Sequence, residues 1–280
     1  MRVQLIAVPY DSGRRGERMG AGPGRLLDAG LDRRLAGAGH DVNVHVIEAF
    51  SGGWPAEIRM AFELAGHVAL AVRAAMEAGA FPLVLSGNCG PAALGCVAGM
   101  RGRRVFWFDA HGDFNTPETT VGGFLDGMAL AALTGRCWRQ LTARIPGFEP
   151  VAERHVTLVG ARDLDPLEAA ALDASEVTRL TVDDLRAGKP RPDVPRAPAY
   201  LHFDLDVLDP SEGPINCYAA PGGLTVSDAE SAVRAVGSAA AIAAAAITAL
   251  DPAADPSGRS VAAAIAIGLA IVAASDRHAS

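Results

Sequence analysis

Two aspartates and a histidine occupy alternate positions directly after an apolar segment of the chain. The apolar segment runs from Val105 to Phe108, and the polar residues that follow it are Asp109, His111 and Asp113. Side chains two residues apart in an extended segment point the same way, so these groups would converge at the carboxyl end of a strand. Open α/β sheets form their binding sites at that end. The spacing therefore predicts a site with metal-ligand chemistry, and the alternative is a loop of solvated acids beside a surface histidine.

A second apolar segment carries the same alternation on one of its faces. His202, Asp204 and Asp206 alternate with hydrophobic residues between Leu201 and Val207. Two carboxylates side by side in a buried strand are costly unless a cation neutralises them. A carboxylate-rich site with one or two imidazoles suits Mn²⁺, with Mg²⁺ and Fe²⁺ as competitors. The two segments predict one shared metal site, because the alternative, an ion pair with Arg or Lys, needs cations that neither segment supplies.

The chain around these segments alternates between strand-like and helix-like patterns. The predicted strands are short and rich in β-branched residues: Val3 to Val8, Val42 to Ile47, Pro82 to Leu85, Val105 to Phe108, Val156 to Val159, Tyr200 to Phe203 and Ala245 to Leu250. The predicted helices are rich in Ala, Leu, Arg and Glu: Gly24 to Ala36, Ala56 to Ala78, Ala92 to Ala98, Phe124 to Thr134, Pro166 to Asp173, Val226 to Val236 and Ser257 to Ala274. Strands that are apolar at every position are typical of a parallel sheet covered by helices, which indicates an α/β fold.

No linker divides the chain. The Pro-rich segment Lys189 to Pro198 is interpreted as a surface loop, because the motifs on its two sides belong to one site. Residues 1 to 280 are therefore expected to form a single domain, which is an ordinary size for one large α/β unit.

The composition argues against several classes of partner and location. Half of the residues are hydrophobic and only 5% are aromatic, while the formal net charge of -7 argues against a nucleic-acid partner. The four cysteines show no disulfide framework and no signal peptide is evident, so we expect a cytoplasmic protein. The Ala-rich stretches Ala239 to Leu250 and Val261 to Ala274 are shorter than the roughly 18 to 20 apolar residues of a membrane span, so no membrane partner is expected.

Both polar segments resemble signatures of the ureohydrolase family, which comprises arginase, agmatinase and formimidoylglutamase. The chain has D-A-H-x-D-x-N-T-P from Asp109 and D-x-D-x-x-D-P from Asp204. Three further segments are similar to family motifs in the same order: GERMGAGPGRLLDAGL at 16–31, LVGARDLDPLE at 158–168 and AAITALDP at 245–252. The resemblance covers nearly the whole chain.

The resemblance implies a fold, a cofactor and a ligand set. It implies a three-layer α/β/α domain with a central, mostly parallel, eight-stranded sheet, and subunits that assemble as trimers or hexamers. It also implies two Mn²⁺ ions and a bridging hydroxide that attacks a guanidinium-type carbon. Asp109 and Asp204 match the carboxylates that bridge both ions. His111 and Asp206 match ligands of one ion, and Asp113 matches a ligand of the other.

The chain departs from the family pattern at the sixth ligand. Cys89 stands where the family has a histidine. Mn²⁺ prefers harder ligands than a thiolate, so one ion could be weak or absent, a different metal could bind, or Cys89 could be an ordinary buried thiol. A branch of the family that hydrolyses N-omega-hydroxy-arginine resembles this chain in having cysteine there and an H-x-D-x-D strand. We expect His202 to hydrogen-bond to the site rather than to bind metal.

The remaining departures concern catalysis and substrate. Asp126 occupies the position of arginase's proton-shuttling histidine, so the resemblance assigns Asp126, together with His111, to catalysis. Ala249 replaces the glutamate that binds the guanidinium group, which makes ordinary arginase activity doubtful. Asn115 and Asp165 match residues that bind the α-carboxylate and the α-amino group of the substrate.

The sequence therefore predicts a Mn²⁺-dependent C–N hydrolase that acts on a small arginine-like or other amidine substrate. The alternative is a degenerate relative that binds metal or ligand without turnover, which the replaced histidine and glutamate would favour. A single-zinc deacetylase on a related fold is disfavoured, because such enzymes lack the N-T-P-E-T-T segment.

Overall fold

The structure is a computed structural model, and it describes residues 1–49, 56–101, 104–188 and 198–276. The predicted surface loop Lys189 to Pro198 lies almost entirely outside the described residues, so its interpretation stays a prediction.

Eight parallel strands form one central sheet. In chain order these strands are β1 (Arg2–Val8), β4 (Asp41–Val46), β5 (Phe81–Ser86), β6 (Arg104–Phe108), β7 (Val156–Val159), β8 (Thr178–Leu180), β9 (Ala199–Asp204) and β10 (Ile242–Thr248). Along the sheet their order is β4-β1-β5-β10-β9-β6-β7-β8. The two remaining strands, β2 (Tyr10–Asp11) and β3 (Arg14–Arg15), form a separate antiparallel ribbon. The predicted parallel eight-stranded sheet is confirmed.

Helices cover both faces of the sheet, as the three-layer prediction requires. They are α1 (Gly22–Asp28), α2 (Leu31–Gly37), α3 (Glu57–Glu77), α4 (Cys89–Met100), α5 (Ala129–Leu133), α6 (Arg139–Thr142), α7 (Pro166–Asp173), α8 (Val182–Arg186), α9 (Val226–Ala239) and α10 (Arg259–Asp276). Side chains of α1, α2, α9 and α10 share one apolar cluster with alternate strand residues. Side chains of α3, α4 and α5 share a second cluster with the other strand residues. Alternation along each strand therefore fills both interlayer cores.

Several element predictions were wrong in detail. The single helix predicted from Gly24 to Ala36 is divided, because Gly30 adopts a left-handed backbone with φ of 87° between α1 and α2. The helix predicted from Phe124 to Thr134 is α-helical only in α5 and begins with a 3-10 turn. The short edge strand β8 was not located in the sequence, because three partly exposed residues carry no apolar pattern.

The C-terminal helix α10 has the predicted length but begins and ends two residues later than predicted. Its 18 residues are long and apolar enough, by length and composition alone, to cross a membrane, but 61% of them are buried within the protein. It packs against α9 so closely that a Cβ added at Gly237 would lie 2.8 Å from the Cβ of Ala274. We interpret α10 as a core helix of one outer layer.

Parallel pairing brings four strand ends to one place. β5, β10, β9 and β6 are neighbours in the centre of the sheet, and all of their carboxyl ends lie at the same edge. Thr248 at the end of β10 pairs with Asp204 on one side and with Ser86 on the other. This edge is where the predicted site must form.

Candidate metal centre

All nine predicted site residues line one cavity at this edge of the sheet. The cavity has a volume of about 230 Å³. The predicted residues on its wall are Cys89, Asp109, His111, Asp113, Asn115, Asp126, Asp165, Asp204 and Asp206. Ala249, where the chain departs from the family's glutamate, lies on the same wall.

The first polar segment reaches the cavity through a turn rather than through an extended strand. β6 ends at Phe108, and Asp113 has a positive φ of 48°. Asp109 is held by the indole N–H of Trp107 at 2.9 Å and by the backbone N–H of His111 at 2.8 Å. The predicted convergence is therefore present, but hydrogen bonds and a left-handed residue produce it instead of strand alternation.

The second polar segment also leaves the strand before its last ligand. Asp204 is the final residue of β9, and Asp206 lies in the 3-10 turn Leu205–Val207. The backbone N–H of Asp206 donates to the Asp204 carboxylate at 2.8 Å, and that of Ala110 donates to Asp206 at 3.2 Å. These bonds join the two segments, so their carboxylates share one site.

Two groups of ligand atoms meet at Asp109. The first group contains Cys89, Asp109, His202 and Asp204, and the second contains Asp109, His111 and Asp206. Within each group the ligand atoms lie no more than 4.8 Å apart, which suits coordination of one ion. Asp109 belongs to both groups, as a bridging carboxylate would. Asp113 faces the same cavity but its carboxylate is in neither group.

The charges of the site suit divalent cations. Asp109, Asp113, Asp204 and Asp206 are all at least 93% buried, and within the described ranges no Lys or Arg forms an ion pair with them. Burial raises the pKa of Asp113 and Asp204 well above the ordinary value, with a further rise from neighbouring carboxylates. A bound cation would reverse that effect, because it stabilises the ionised form.

The imidazole of His111 can be cationic beside these carboxylates. Its Nδ1 lies 3.3 Å from Asp109 and 3.4 Å from Asp206. Burial lowers its pKa, but the hydrogen bonds and charges of the two aspartates outweigh burial and raise the pKa to about 12. Burial also acts to raise the pKa of Asp206, yet the contact with His111 lowers it. A metal ion and this proton would compete for the same imidazole nitrogen.

Cys89 begins helix α4, and Asp126 is bound to that helix end. The Asp126 carboxylate accepts hydrogen bonds from the backbone N–H groups of Cys89 and Gly90, both at 2.8 Å, and from the Asn88 amide at 3.0 Å. Burial raises the pKa of Asp126 to about 6, although these three bonds lower it. Asp126 therefore contributes an anion to the helix N-terminus, and its predicted proton-transfer role stays a prediction.

The predicted substrate-binding residues contact each other on the cavity wall. The Asn115 amide donates to the Asp165 carboxylate at 3.1 Å, and Asn115 accepts from the Thr119 hydroxyl at 3.0 Å. Glu168, which the sequence reasoning passed over, is buried beside them and accepts the backbone N–H of Phe114 at 2.8 Å. Its signal was present as the last residue of the D-P-x-E segment.

Asn216 and Arg162 are functional candidates that the sequence reasoning missed. Asn216 donates to the Asp206 carboxylate at 3.4 Å and to the carbonyl of Ala249 at 3.0 Å, which joins the metal segment to position 249. Arg162 donates to six backbone carbonyls around the site. Arg162 belongs to the segment 158–168 that resembles a family motif, whereas Asn216 lies in no pattern that spacing alone can interpret.

Comparison with known proteins agrees with this arrangement. The arginase family profile matches residues 1–273 of the 280. The chain belongs to the arginase family. It is 30% identical to the arginase of Bacillus caldovelox, over 95% of this chain and 96% of that one. It is 36% identical to the N(omega)-hydroxy-L-arginine amidinohydrolase of Streptomyces lavendulae, but over only 43% of this chain and 41% of that one.

The solved structures lead to the same family. The arginase of Bacillus cereus superposes with a TM-score of 0.84 and 25% identity, covering 97% of this chain and 98% of that one. Membership in the arginase family confirms the predicted ureohydrolase resemblance and the three-layer fold.

Proposed function

We propose that this arginase-family protein is a metal-dependent hydrolase that cleaves a carbon–nitrogen bond of a small guanidino or amidine compound. The observation that carries the proposal is the pair of ligand groups that share Asp109 at the wall of one cavity. Divalent ions held there, which we expect to be Mn²⁺, would lower the pKa of water and so supply a nucleophile at neutral pH.

The residues of the chain divide between holding the ions and holding the substrate. The ions would be bound by Asp109, Asp204, Asp206 and His111. Asp113 lies on the same wall, and Cys89 is the first residue of α4. Asn115 and Asp165 are hydrogen-bonded to each other and would receive the polar end of the substrate. The substrate would be a small molecule, since the cavity volume is about 230 Å³.

The preferred substrate is expected to differ from arginine. Ala249 lines the cavity, where a carboxylate would be needed to form a charge-assisted hydrogen bond with a guanidinium group. N-omega-hydroxy-arginine, whose hydroxyl group alters the leaving group and its orientation, is our first candidate. The relative from Streptomyces lavendulae that carries this activity in its name supports the choice.

Metal analysis and product analysis test the proposal together. We expect the purified protein to retain divalent metal, and Asp109→Ala and Asp204→Ala to lose it while remaining folded. A panel of guanidino compounds should then be assayed for urea and hydroxyurea. Stoichiometric Mn²⁺ in a double-alanine variant would contradict the site, and no release from any compound by metal-loaded protein would contradict the activity.

One alternative has its own support. Ala249 lacks the carboxylate, and both oxygens of Asp126 are already hydrogen-bonded to the α4 N-terminus, so the protein could bind metal and ligand without turnover. Tight binding of an amidine without product in the same assay would favour this function.

A cytoplasmic location and assembly as a trimer or hexamer stay predictions, and native mass measurement would test the assembly.

A further inference from the structure

A chain of buried polar residues leads from the sheet interior to the sulfur of Cys89. The Tyr200 hydroxyl lies 2.8 Å from His202 Nδ1, and His202 Nε2 lies 3.4 Å from Thr248 Oγ1. Thr248 Oγ1 lies 3.2 Å from Cys89 Sγ. All four residues are at least 97% buried. The two strands β9 and β10, together with the start of α4, build this chain behind the cavity.

The direction of these hydrogen bonds follows from Tyr200, the first residue of the hydrogen-bonded series. Its hydroxyl makes one hydrogen-bond contact within the part of the chain that the structure describes, and that contact is with His202. A buried O–H group needs an acceptor, so Tyr200 must donate and His202 Nδ1 must accept. A neutral imidazole with an unprotonated Nδ1 carries its proton on Nε2. His202 therefore donates from Nε2 to Thr248.

Because Thr248 accepts a hydrogen bond from His202, its own hydroxyl proton can be donated to a group of the metal site. Thr248 Oγ1 has two acceptors within reach, Cys89 Sγ at 3.2 Å and Asp204 Oδ2 at 3.3 Å. The Cys89 thiol in turn contacts Asp204 Oδ2 at 3.0 Å. A sulfur that binds a metal ion does so as a thiolate, which has no proton to donate and accepts one instead. The hydroxyl of Thr248 lies within hydrogen-bond distance of such a sulfur and can donate to it.

We propose that Tyr200, His202 and Thr248 form a one-way hydrogen-bond chain that positions Cys89 and donates a hydrogen bond to its sulfur as a metal ligand. The inference rests on the proposed function, since it requires a metal ion at this site. A thiolate adds one negative charge to four carboxylates, whereas a histidine would add none. A hydrogen bond to the sulfur disperses that charge.

The hydrogen-bond chain would also keep His202 from acting as a metal ligand, although a ring nitrogen of His202 lies within 4.8 Å of the other ligand atoms of its group. Its ring stacks on Trp107 with a centroid separation of 3.7 Å and an interplanar angle of 18°, which fixes its orientation. Nε2 carries the proton that Thr248 accepts, so no lone pair remains there for an ion. Ligation through Nε2 would move the proton to Nδ1 and leave the Tyr200 hydroxyl without an acceptor.

The test replaces the bound metal with Co²⁺, because a thiolate ligand gives a sulfur-to-cobalt charge-transfer band. Thr248→Val removes the donor while keeping the shape of the side chain. We expect this band to move to lower energy and the Co²⁺ affinity to fall by about 10- to 100-fold, the range typical of lost outer partners of metal ligands. Thr248→Ser should restore both. Tyr200→Phe should shift the band in the same direction by less than Thr248→Val does.

Two matched variants separate this role from general stability. Thr157→Val makes the same change at a buried threonine on β7 and should leave the band unchanged. In a Cys89→Ala background, Thr248→Val should have no further effect on Co²⁺ affinity. The proposed hydrogen-bond chain would be overturned if Thr248→Val lowered Co²⁺ affinity as much in the Cys89→Ala background as in the wild type. An unchanged charge-transfer band in Thr248→Val itself would also overturn it.

The remaining outcomes distinguish the inference from the proposed function. Co²⁺ binding without a charge-transfer band in the wild-type protein would show that Cys89 is not a ligand, and would overturn the inference alone. A change of coordination number in His202→Phe, seen in the d–d bands, would make His202 a ligand and would also overturn it. Failure of the wild-type protein to bind any divalent metal would overturn the proposed function and the inference together.

Discussion

Arg162 gives the sharpest prediction about what holds the metal segment in place. Its guanidinium donates to the carbonyls of six residues at 2.8 to 3.3 Å: Gly160, Asp206, Val207, Leu208, Ala220 and Pro221. Burial lowers the pKa of Arg162, so these carbonyls must offset the cost of its desolvation. The perturbation is Arg162→Lys, which keeps the charge and changes the geometry.

The magnitude follows from the number of donors. A guanidinium group has five N–H protons, so two of the six carbonyls share one of them, whereas an ammonium group has three protons and therefore loses at least two donors. A hydrogen bond to a charged group contributes about 1.5 to 3 kcal/mol, and water replaces part of it because Arg162 is partly exposed. Taking about 1 kcal/mol for each of two lost donors gives about 2 kcal/mol, or roughly 3 to 4 °C in melting temperature. Metal affinity should also fall by about tenfold, because Asp206 belongs to the released loop.

The assay is urea unfolding of metal-free protein followed by circular dichroism, with metal titration alongside. Arg179→Lys is the control, because the guanidinium of Arg179 pairs with Asp173 at the surface. Such pairs typically contribute less than about 1 kcal/mol, so this variant should resemble the wild type. If Arg162→Lys unfolded within about 1 kcal/mol of the wild type, the carbonyl contacts would not stabilise the loop as argued.

Three further predictions address the cavity. Gly112→Ala should weaken substrate binding and lower the free energy of unfolding by about 1 to 3 kcal/mol. The reason is that the new Cβ would lie 2.7 Å from a carboxylate oxygen of the buried Glu168. Unchanged KM and melting temperature would contradict this prediction. Ala249→Glu should improve turnover of arginine more than that of N-omega-hydroxy-arginine, because it restores a charge-assisted hydrogen bond, whereas arginine turnover of about 10 per second in the unmodified protein would refute this. Burial raises the pKa of Asp204, and carboxylates raise that of His111, so the folded metal-free protein binds these protons more tightly than the unfolded chain does. Its melting temperature should therefore fall as pH rises from 5 to 8, and saturating Mn²⁺ should reduce the fall; a rise with pH would contradict it.

The sequence alone was enough to predict the sheet and the main polar segments. Strands β1, β5, β6, β7 and β9 are apolar at nearly every position, because parallel strands are covered on both faces. Carboxylates that directly follow such strands have few explanations other than a metal, since burying them unpaired is costly. These are local properties of the chain, and they were sufficient for the fold class, while the family followed from the resemblance of the motifs.

Local patterns also explain where the predictions were wrong. The segment from Gly24 to Ala36 has the pattern of a single helix, but Gly30 adopts a left-handed backbone that divides it into α1 and α2. β8 has three residues and no pattern, and only its pairing with β7 makes it a strand. The alternation of Asp109, His111 and Asp113 predicted convergence, although a turn and side-chain hydrogen bonds produce it.

What only the tertiary structure decided is which groups contact one another across strands. Cys89, His202 and Thr248 are far apart in sequence and belong to three elements, yet parallel pairing of β5, β10 and β9 brings them into one buried chain. Asp126 lies in the 3-10 turn before α5 and contacts the N-terminus of α4, which is 36 to 37 residues earlier in the chain. A hydrogen bond depends on distance and direction between specific atoms, and for residues on different elements those are set by the packing of the sheet and its helices rather than by spacing along the chain.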